Sequence, residues 1–238
     1  MTDILGQDTI CALSTAPGMG AIATIRVSGK RTFEITEKIF SKTVEDKDSH
    51  TAHFGLIKDG DTIIDEVVVV VFKNPKSFTG ENSVEITCHG SVFIQQQIIQ
   101  LLITAGARMA KAGEFSMRAF MNGKMDLSQT EAIADLISST TKAQHEVAMH
   151  QMRGGFSTEL KGLRQQLLDF ASLIELELDF SEEDVEFADR TQLETLLSQI
   201  TIGINVLMES FQLGNVIKNG VPVAIVGAPN SGKSTLLN

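Results

Sequence analysis

The hydrophobic pattern of this chain changes period once, near residue 123. Before that point apolar residues alternate in short runs; after it they recur at three and four. The change restricts the chain to a mixed sheet-and-helix domain followed by a helical one. In the first stretch, Thr9 to Ser14 and Ile22 to Val27 read as strands separated by the turn APGMGA. Arg31 to Phe40 has helical spacing, with Phe33, Ile35, Ile39 and Phe40 apolar. His50 to Ile57 and Thr62 to Phe72 read as strands joined by a Lys-Asp-Gly-Asp turn, a hairpin signal. Asn82 to Cys88 alternates Val84, Ile86 and Cys88 with Ser83, Glu85 and Thr87. Val92 to Thr104 reads as a helix stopped by Gly106, and Ala107 to Lys111 as a short strand. Hairpins mixed with helices predict an α+β domain over residues 1–122.

From residue 123 to about 215 the pattern is helical throughout, the first part of a long-helix domain. Ser128-x-x-Glu131 and Thr191-x-x-Glu194 read as capping boxes opening long helices. Ala132, Leu136, Ile137, Ala143 and Val147 fit one face, and Gly154-Gly155 is a candidate joint. Phe156, Leu160, Leu163, Leu167, Phe170, Ile174 and Leu178 form a second stripe. Leu193, Leu196, Leu197, Ile200, Ile204, Leu207 and Phe211 form a third. Three helices of this kind predict a bundle.

Residues 216–238 open a third unit. Val223 to Val226 reads as a buried strand, and Gly227 to Ser234 matches GxxxxGK[ST]. Glycines let backbone N–H groups turn inward around phosphate oxygens, where a Cβ would intrude. Lys233 is placed to neutralise the terminal phosphates and the Ser234 hydroxyl to ligate Mg²⁺. The helix beginning near Gly232 adds the positive end of its dipole. A complete nucleotidase sheet needs several further strands. The expectation is therefore that these 238 residues are part of a longer protein and do not hydrolyse nucleotide by themselves.

Charge narrows the partners. The chain carries 20 basic and 30 acidic residues, and residues 123–213 hold 6 of the bases and 16 of the acids. Phosphate binding needs clustered Lys and Arg, so that segment is a poor nucleic-acid surface. There is no Trp and no Tyr, leaving Phe and His for base stacking. The longest apolar run, Val67 to Phe72, is far short of the ~20 residues of a membrane span. Cys11 and Cys88 show no CxxC spacing, which favours a reducing compartment, the cytoplasm by default.

Two charges interrupt apolar strands. Arg26 shares a strand face with Thr24 and Ser28, and Glu85 with Ser83, Thr87 and His89. Lone charges in strands usually mark a solvated face or a structural pair. As a sign of a ligand site the two charges alone are modest.

Longer motifs decide between these readings. DTICALSTAPGMGAIATIRVSG, NPKSFTGENSVEITCHG, GEFSMRAFMNGKMDLSQTEAIADLI, the acidic turn LELELDFSEEDVEF and the tail GAPNSGKSTLLN together resemble the tRNA-modification GTPases of the MnmE (TrmE) family. The resemblance runs the whole chain. It implies an N-terminal folate-binding, homodimerising domain similar in fold to tetrahydrofolate-dependent aminomethyltransferases. It implies a helical domain interrupted by a GTPase domain. It also implies a flavoprotein partner, MnmG. The pair would add an aminomethyl or carboxymethylaminomethyl group to position five of the tRNA wobble uridine. A reduced folate (5-formyl- or methylene-tetrahydrofolate) would supply the one-carbon unit.

By resemblance, Arg26, Glu85 and Lys124 contact the folate, and Asn230, Ser231, Gly232, Lys233, Ser234 and Thr235 line GTP. Asn230 would ligate K⁺ and Ser234 Mg²⁺. An Era-like GTPase with an unrelated adaptor, acting in ribosome assembly, is the alternative reading.

Other signals carry less. Gly18-Met-Gly20 leads into a strand, so it is a turn and not a phosphate loop. Met117, Met121 and Met125 read as a packing stripe, core or dimer contact. His89 is the one histidine near a plausible pocket. The acidic run Asp179 to Asp189 lacks Ca²⁺-loop spacing and reads as a solvated connection.

Overall fold

The computed structural model describes residues 8–179, 190–219, 224–227, 231–232 and 235. The chain divides into two units, Met1–Thr130 and Glu131–Asn238.

The first unit is a mixed sheet with helices. Its strands are β1 Ile10–Leu13, β2 Ile22–Ser28, β3 Thr51–Asp59, β4 Thr62–Phe72, β5 Ser83–His89 and β6 Arg108–Met109. They lie in the order β3-β4-β5-β2-β1-β6. Neighbours run antiparallel except β1 and β6, which are parallel. The β3–β4 hairpin turns at Gly60 and Asp61, with Gly60 at φ +56°, the left-handed conformation a two-residue hairpin turn requires. Its register closes on Asp59 opposite Thr62.

Alternation sorts the side chains. Ala23, Ile25 and Val27 of β2, Val84, Ile86 and Cys88 of β5, and Val67, Val69 and Val71 of β4 are all buried in one core. Helix α1, Thr32–Glu37, adds Phe33 and Ile35, and α2, Val92–Thr104, adds Ile98 and Leu102. Each such side chain contributes about 1.5–3 kcal/mol on burial. The opposite face of β2 and β5 carries Thr24, Arg26, Ser28, Ser83, Glu85 and Thr87, and it is this face that forms the candidate site.

Helix α3, Glu114–Met121, has no counterpart in the expected pattern. It starts after Gly113 at φ +72° and buries Glu114, Arg118 and Ala119. Met117 and Met121 are exposed, so the methionine stripe is not core, and Met125 lies beyond the helix end. The strand expected over Ala107 to Lys111 is only two residues long, because β1 offers it just Ile10 and Cys11 as partners.

Four helices follow. They are α4 Leu127–Ser138, α5 Lys142–Met152, α6 Gly155–Asp179 and α7 Arg190–Asn219, with α5, α6 and α7 packed pairwise. The expectation of three helices fails at Ser139 to Thr141, where the first one breaks. Thr141 opens α5 through a full capping box with Gln144. The Ser128 box is also displaced. Asp126 accepts from the Gln129 N–H at 2.9 Å, and the Gln129 side chain accepts from the Asp126 N–H at 2.9 Å. Thr191 likewise lies inside α7, which is already helical at Arg190. Gly154, at φ +76°, does end α5. Of the α6 stripe, Phe170 is buried, whereas Leu160, Leu167 and Ile174 stay exposed.

The expected strand over Val223 to Val226 is not seen: Ala224–Gly227 carry no strand, and the described strands all belong to the first unit. Most of the acidic run, residues 180–189, lies outside the described residues. No helix among the described residues is long and apolar enough to cross a membrane.

Candidate functional site

Arg26 and Glu85 stand directly opposite each other on β2 and β5. The Arg26 Nε donates to Glu85 Oε1 at 2.9 Å and Nη2 donates to the same oxygen at 2.6 Å. Both bonds end on Oε1, so among the described residues Oε2 receives no donor. The pair is partly open, with side-chain exposures of 24% and 27%. Beside it on the same face, the Thr24 and Thr87 hydroxyls lie 3.3 Å apart. Of the readings that the pattern left open, a solvated face or a structural pair, the structure shows a pair, and one with spare acceptor capacity.

Two aromatic rings flank the guanidinium. Arg26 Cζ lies 5.1 Å from the Phe78 centroid and 5.6 Å from that of Phe115, within cation–π range. Phe78 comes from the loop between β4 and β5, and Phe115 from α3. Lys124 belongs to the same surroundings but does not touch the ion pair. Its Nζ donates to the Pro75 carbonyl at 2.9 Å. Its stem packs over Gly80, where a Cβ would come within 3.1 Å of both Lys124 Cγ and Asn122 Cβ. The Asn122 side chain donates to the Thr79 carbonyl at 2.7 Å.

Helix α3 also carries a charge network centred on the buried Arg118 and Glu114, with Asp8 and Arg108 half-exposed at its edge. Arg118 Nη2 donates to Asp8 Oδ1 at 2.6 Å and to Glu114 Oε1 at 3.2 Å, while Nη1 reaches Glu81 Oε1 at 3.2 Å. Arg108 donates to Glu114 Oε1 at 2.5 Å and Oε2 at 2.8 Å, and its Nε bonds Asp8. The hydrogen bond from Arg108, opposed by burial and assisted by the Lys111 N–H and Arg118, holds the Glu114 carboxyl down at about 2. Burial pushes Asp8 upward, but the bonds from Arg108 and Arg118 outweigh it and leave its pKa below the usual carboxylate value.

His89 departs from the face that alternation assigns it. Its Nδ1 lies 2.7 Å from Asp65 Oδ1, and its backbone N–H donates to Oδ2 at 2.8 Å. Asp65 belongs to the buried series with Val67 and Val69. The imidazole thus closes the end of the sheet and adds no contact to Arg26 or Glu85. Gly18 is fixed nearby by Gln95, whose Nε2 donates to the carbonyls of Gly18 and Gly90 at 3.0 and 3.1 Å.

In the nucleotide loop, Asn230, Lys233 and Ser234 lie outside the described residues. Ser231, Gly232 and Thr235 are described; Gly232 has φ +80° and its carbonyl accepts from the Thr235 N–H at 3.1 Å. Among the described residues no group of three or more His, Cys, Asp or Glu gathers to hold a metal ion.

Sequence reasoning missed Phe78, Phe115 and the whole Arg108–Arg118 network. No periodic signal marks either phenylalanine, and the centre of the network, Glu114 and Arg118, lies on a helix that turns its charged side inward.

Comparison with known proteins gives two family matches. Residues 9–124 match the model described as the GTP-binding protein TrmE N-terminus. Residues 127–222 match the MnmE helical domain. Among curated relatives, the chain is 60% identical over 236 residues to a tRNA modification GTPase MnmE of Flavobacterium psychrophilum, covering 98% of this chain and 51% of the relative. It is 61% identical over 232 residues to that of Cytophaga hutchinsonii, covering 97% and 50%. It is 59% identical over 239 residues to that of Bacteroides thetaiotaomicron, covering 98% and 51%. The chain therefore spans about half the length of these relatives.

Proposed function

Because this chain belongs to the MnmE (TrmE) family of tRNA-modification GTPases, we propose that its sheet unit binds a reduced folate at Arg26 and Glu85. The observation that carries this is the end-on ion pair, which among the described residues leaves Glu85 Oε2 without a donor, beside a guanidinium that two aromatic rings approach. The aminopyrimidine edge of a pterin presents adjacent N–H groups, which a carboxylate oxygen accepts. Phe78 and Phe115 give its planar ring apolar walls, and Arg26 and Lys124 can hold carbonyl or carboxylate oxygens. A bound folate would supply the one-carbon unit; the residues of this chain would bind and orient it.

The remaining roles follow from the family. Residues 1–122 form the folate and dimerisation domain, similar in fold to aminomethyltransferases. Residues 123–215 begin the helical domain, and 216–238 begin the GTPase domain. Asn230, Ser231, Gly232, Lys233, Ser234 and Thr235 would cradle GTP, with Asn230 on K⁺ and Ser234 on Mg²⁺. The whole protein would hydrolyse GTP in the cytoplasm while modifying tRNA wobble uridine as a homodimer with MnmG. The relatives' names favour this over a ribosome-assembly GTPase.

Calorimetric titration with 5-formyltetrahydrofolate tests the site. Glu85→Ala should weaken binding by roughly 1.5–3 kcal/mol or abolish it. Unchanged affinity in a folded Glu85→Ala protein would refute the assignment.

A further inference from the structure

Arg118 is a buried cation on α3 that bonds the loop residue Glu81 and, through it, reaches β2. It sits on α3, one turn after Phe115. Its Nη1 bonds Glu81 at 3.2 Å from Oε1 and 3.3 Å from Oε2. Glu81 Oε2 in turn accepts from the Ser28 hydroxyl at 2.8 Å. Ser28 lies two residues from Arg26 on the same face of β2. Thr79 Oγ1 lies 2.7 Å from that hydroxyl too, so the loop bearing Phe78 is tied to β2 twice. Arg118 therefore joins the helix carrying one ring to the loop carrying the other, and both to the strand carrying the guanidinium between them.

The choice of residue fits this role. A guanidinium offers five donors in a fixed plane, while an ammonium is a point charge on a flexible stem. Four of Arg118's bonds, to Asp8 Oδ1, the Asp8 carbonyl, Glu81 and Glu114, diverge from that plane. Its Nε is buried without a partner among the described residues. A site whose only purpose was packing could be filled by an apolar side chain at no loss. The divergence of bonds to two other segments, Asp8 and the Glu81 loop, and to its own helix at Glu114 is what a geometric anchor requires.

We propose that Arg118, acting through Glu81, is a positioning residue that fixes Phe78 and Phe115 against Arg26 and so sets the width of the slot for a planar ligand. This rests on the folate reading above for the identity of the ligand, though not for the placement of the rings.

The test uses the 238-residue chain and two measurements. First, 5-formyltetrahydrofolate is titrated into the wild type, Glu81→Gln, Arg118→Lys, Phe115→Ala and the Arg118→Lys/Phe115→Ala double variant. Ile98→Val, a core residue of α2, serves as a control that lowers the melting temperature without touching the network. Glu81→Gln and Arg118→Lys should each weaken binding about fivefold or more, and Arg118→Lys should add little on top of Phe115→Ala. Ile98→Val should bind as the wild type does.

Second, the chain has no Trp or Tyr, so Phe115→Trp introduces a lone fluorophore. Its quenching by acrylamide should rise about twofold or more when Arg118→Lys frees the helix, and stay unchanged with Ile98→Val. Phe78→Trp is the substitute reporter if Phe115→Trp does not fold. Additive losses, wild-type affinity in both network variants, or unchanged quenching would each overturn the proposal. Absence of binding by the wild type would instead sink the folate reading, and the fluorescence result alone would then decide whether Arg118 positions the rings.

Discussion

Replacing Glu114 by Gln should destabilise the sheet unit in a manner that depends on pH. Glu114 is almost wholly buried, with 3% of its side chain exposed. It accepts from Arg108 twice, from the Lys111 N–H at 2.8 Å and from Arg118. A Gln keeps one acceptor oxygen but aims two N–H groups at guanidinium donors. The folded pKa falls from the usual 4.5 to about 2, chiefly through the Arg108 hydrogen bond. At about 1.4 kcal/mol per unit, the charged form contributes on the order of 3 kcal/mol to folding. Because the folded value is depressed, that contribution is complete above about pH 4.5 and is lost as pH falls toward 2. The assay is urea unfolding followed by hydrogen–deuterium exchange of the β1, β2 and β5 amides, which reads the sheet unit apart from the long helices. Glu114→Gln should be less stable than wild type by roughly 3 kcal/mol at pH 7, and the gap should narrow steadily below pH 4.5. A gap that stays constant from pH 7 to pH 3, or a loss within error at pH 7, would refute the reasoning.

Two further outcomes are expected. Thr141→Ala removes the side chain that caps α5, where Oγ1 accepts from the Gln144 N–H at 3.2 Å; the helical unit should lose about 1 kcal/mol, read as a lower far-UV circular dichroism melting temperature. Burial raises the thiols of Cys11 and Cys88 to about 11, so a disulfide reagent at pH 8 should label neither in the folded chain and both in urea. Rapid labelling of the folded chain would show that the sheet core opens more readily than its packing implies.

Where side-chain polarity agrees with burial, the fold is legible in the residues. The alternation of Val84, Ile86 and Cys88 locates β5, and Gly60 locates the hairpin turn, because each follows directly from a local steric or solvation rule. Legibility fails where polarity and burial disagree. Helix α3 turns Glu114 and Arg118 inward and leaves Met117, Phe120 and Met121 exposed, so its hydrophobic period points away from the fold. No single-residue rule anticipates this, since the charges are stable there only in one another's company. The break before α5 was hidden for a different reason: Ser138 to Thr141 contain no Gly or Pro, and the apolar face continues on either side of them. The candidate site was half legible. Arg26 and Glu85 stood out as charges in apolar strands, and their pairing follows from register. The rings come from a loop and an inverted helix, neither of which has a period to read.

Two clusters of charge lie close together on one face of the sheet, and exposure separates their roles. Arg118 and Glu114 retain 5% and 3% of their side-chain surface, whereas Arg26 and Glu85 retain 24% and 27%. In the first cluster, at Arg118 and Glu114 inside the half-exposed Asp8 and Arg108, almost no water is available to replace a lost partner, so breaking a bond there strands a charge in a poor dielectric and unfolding is the cheaper response. In the second, water already meets the pair, so a ligand can displace solvent from Glu85 Oε2 without breaking a protein bond, and removing one partner leaves the other solvated. The same chemistry of guanidinium and carboxylate thus stabilises the fold in one place and, in the proposed function, receives the ligand in the other. The two are mechanically coupled through Glu81, which accepts from Arg118 on one side and Ser28 on the other. Substitutions at Glu85 should consequently change ligand affinity and leave the unfolding transition in place, substitutions at Glu114 should do the reverse, and those at Glu81, the shared member, should alter both.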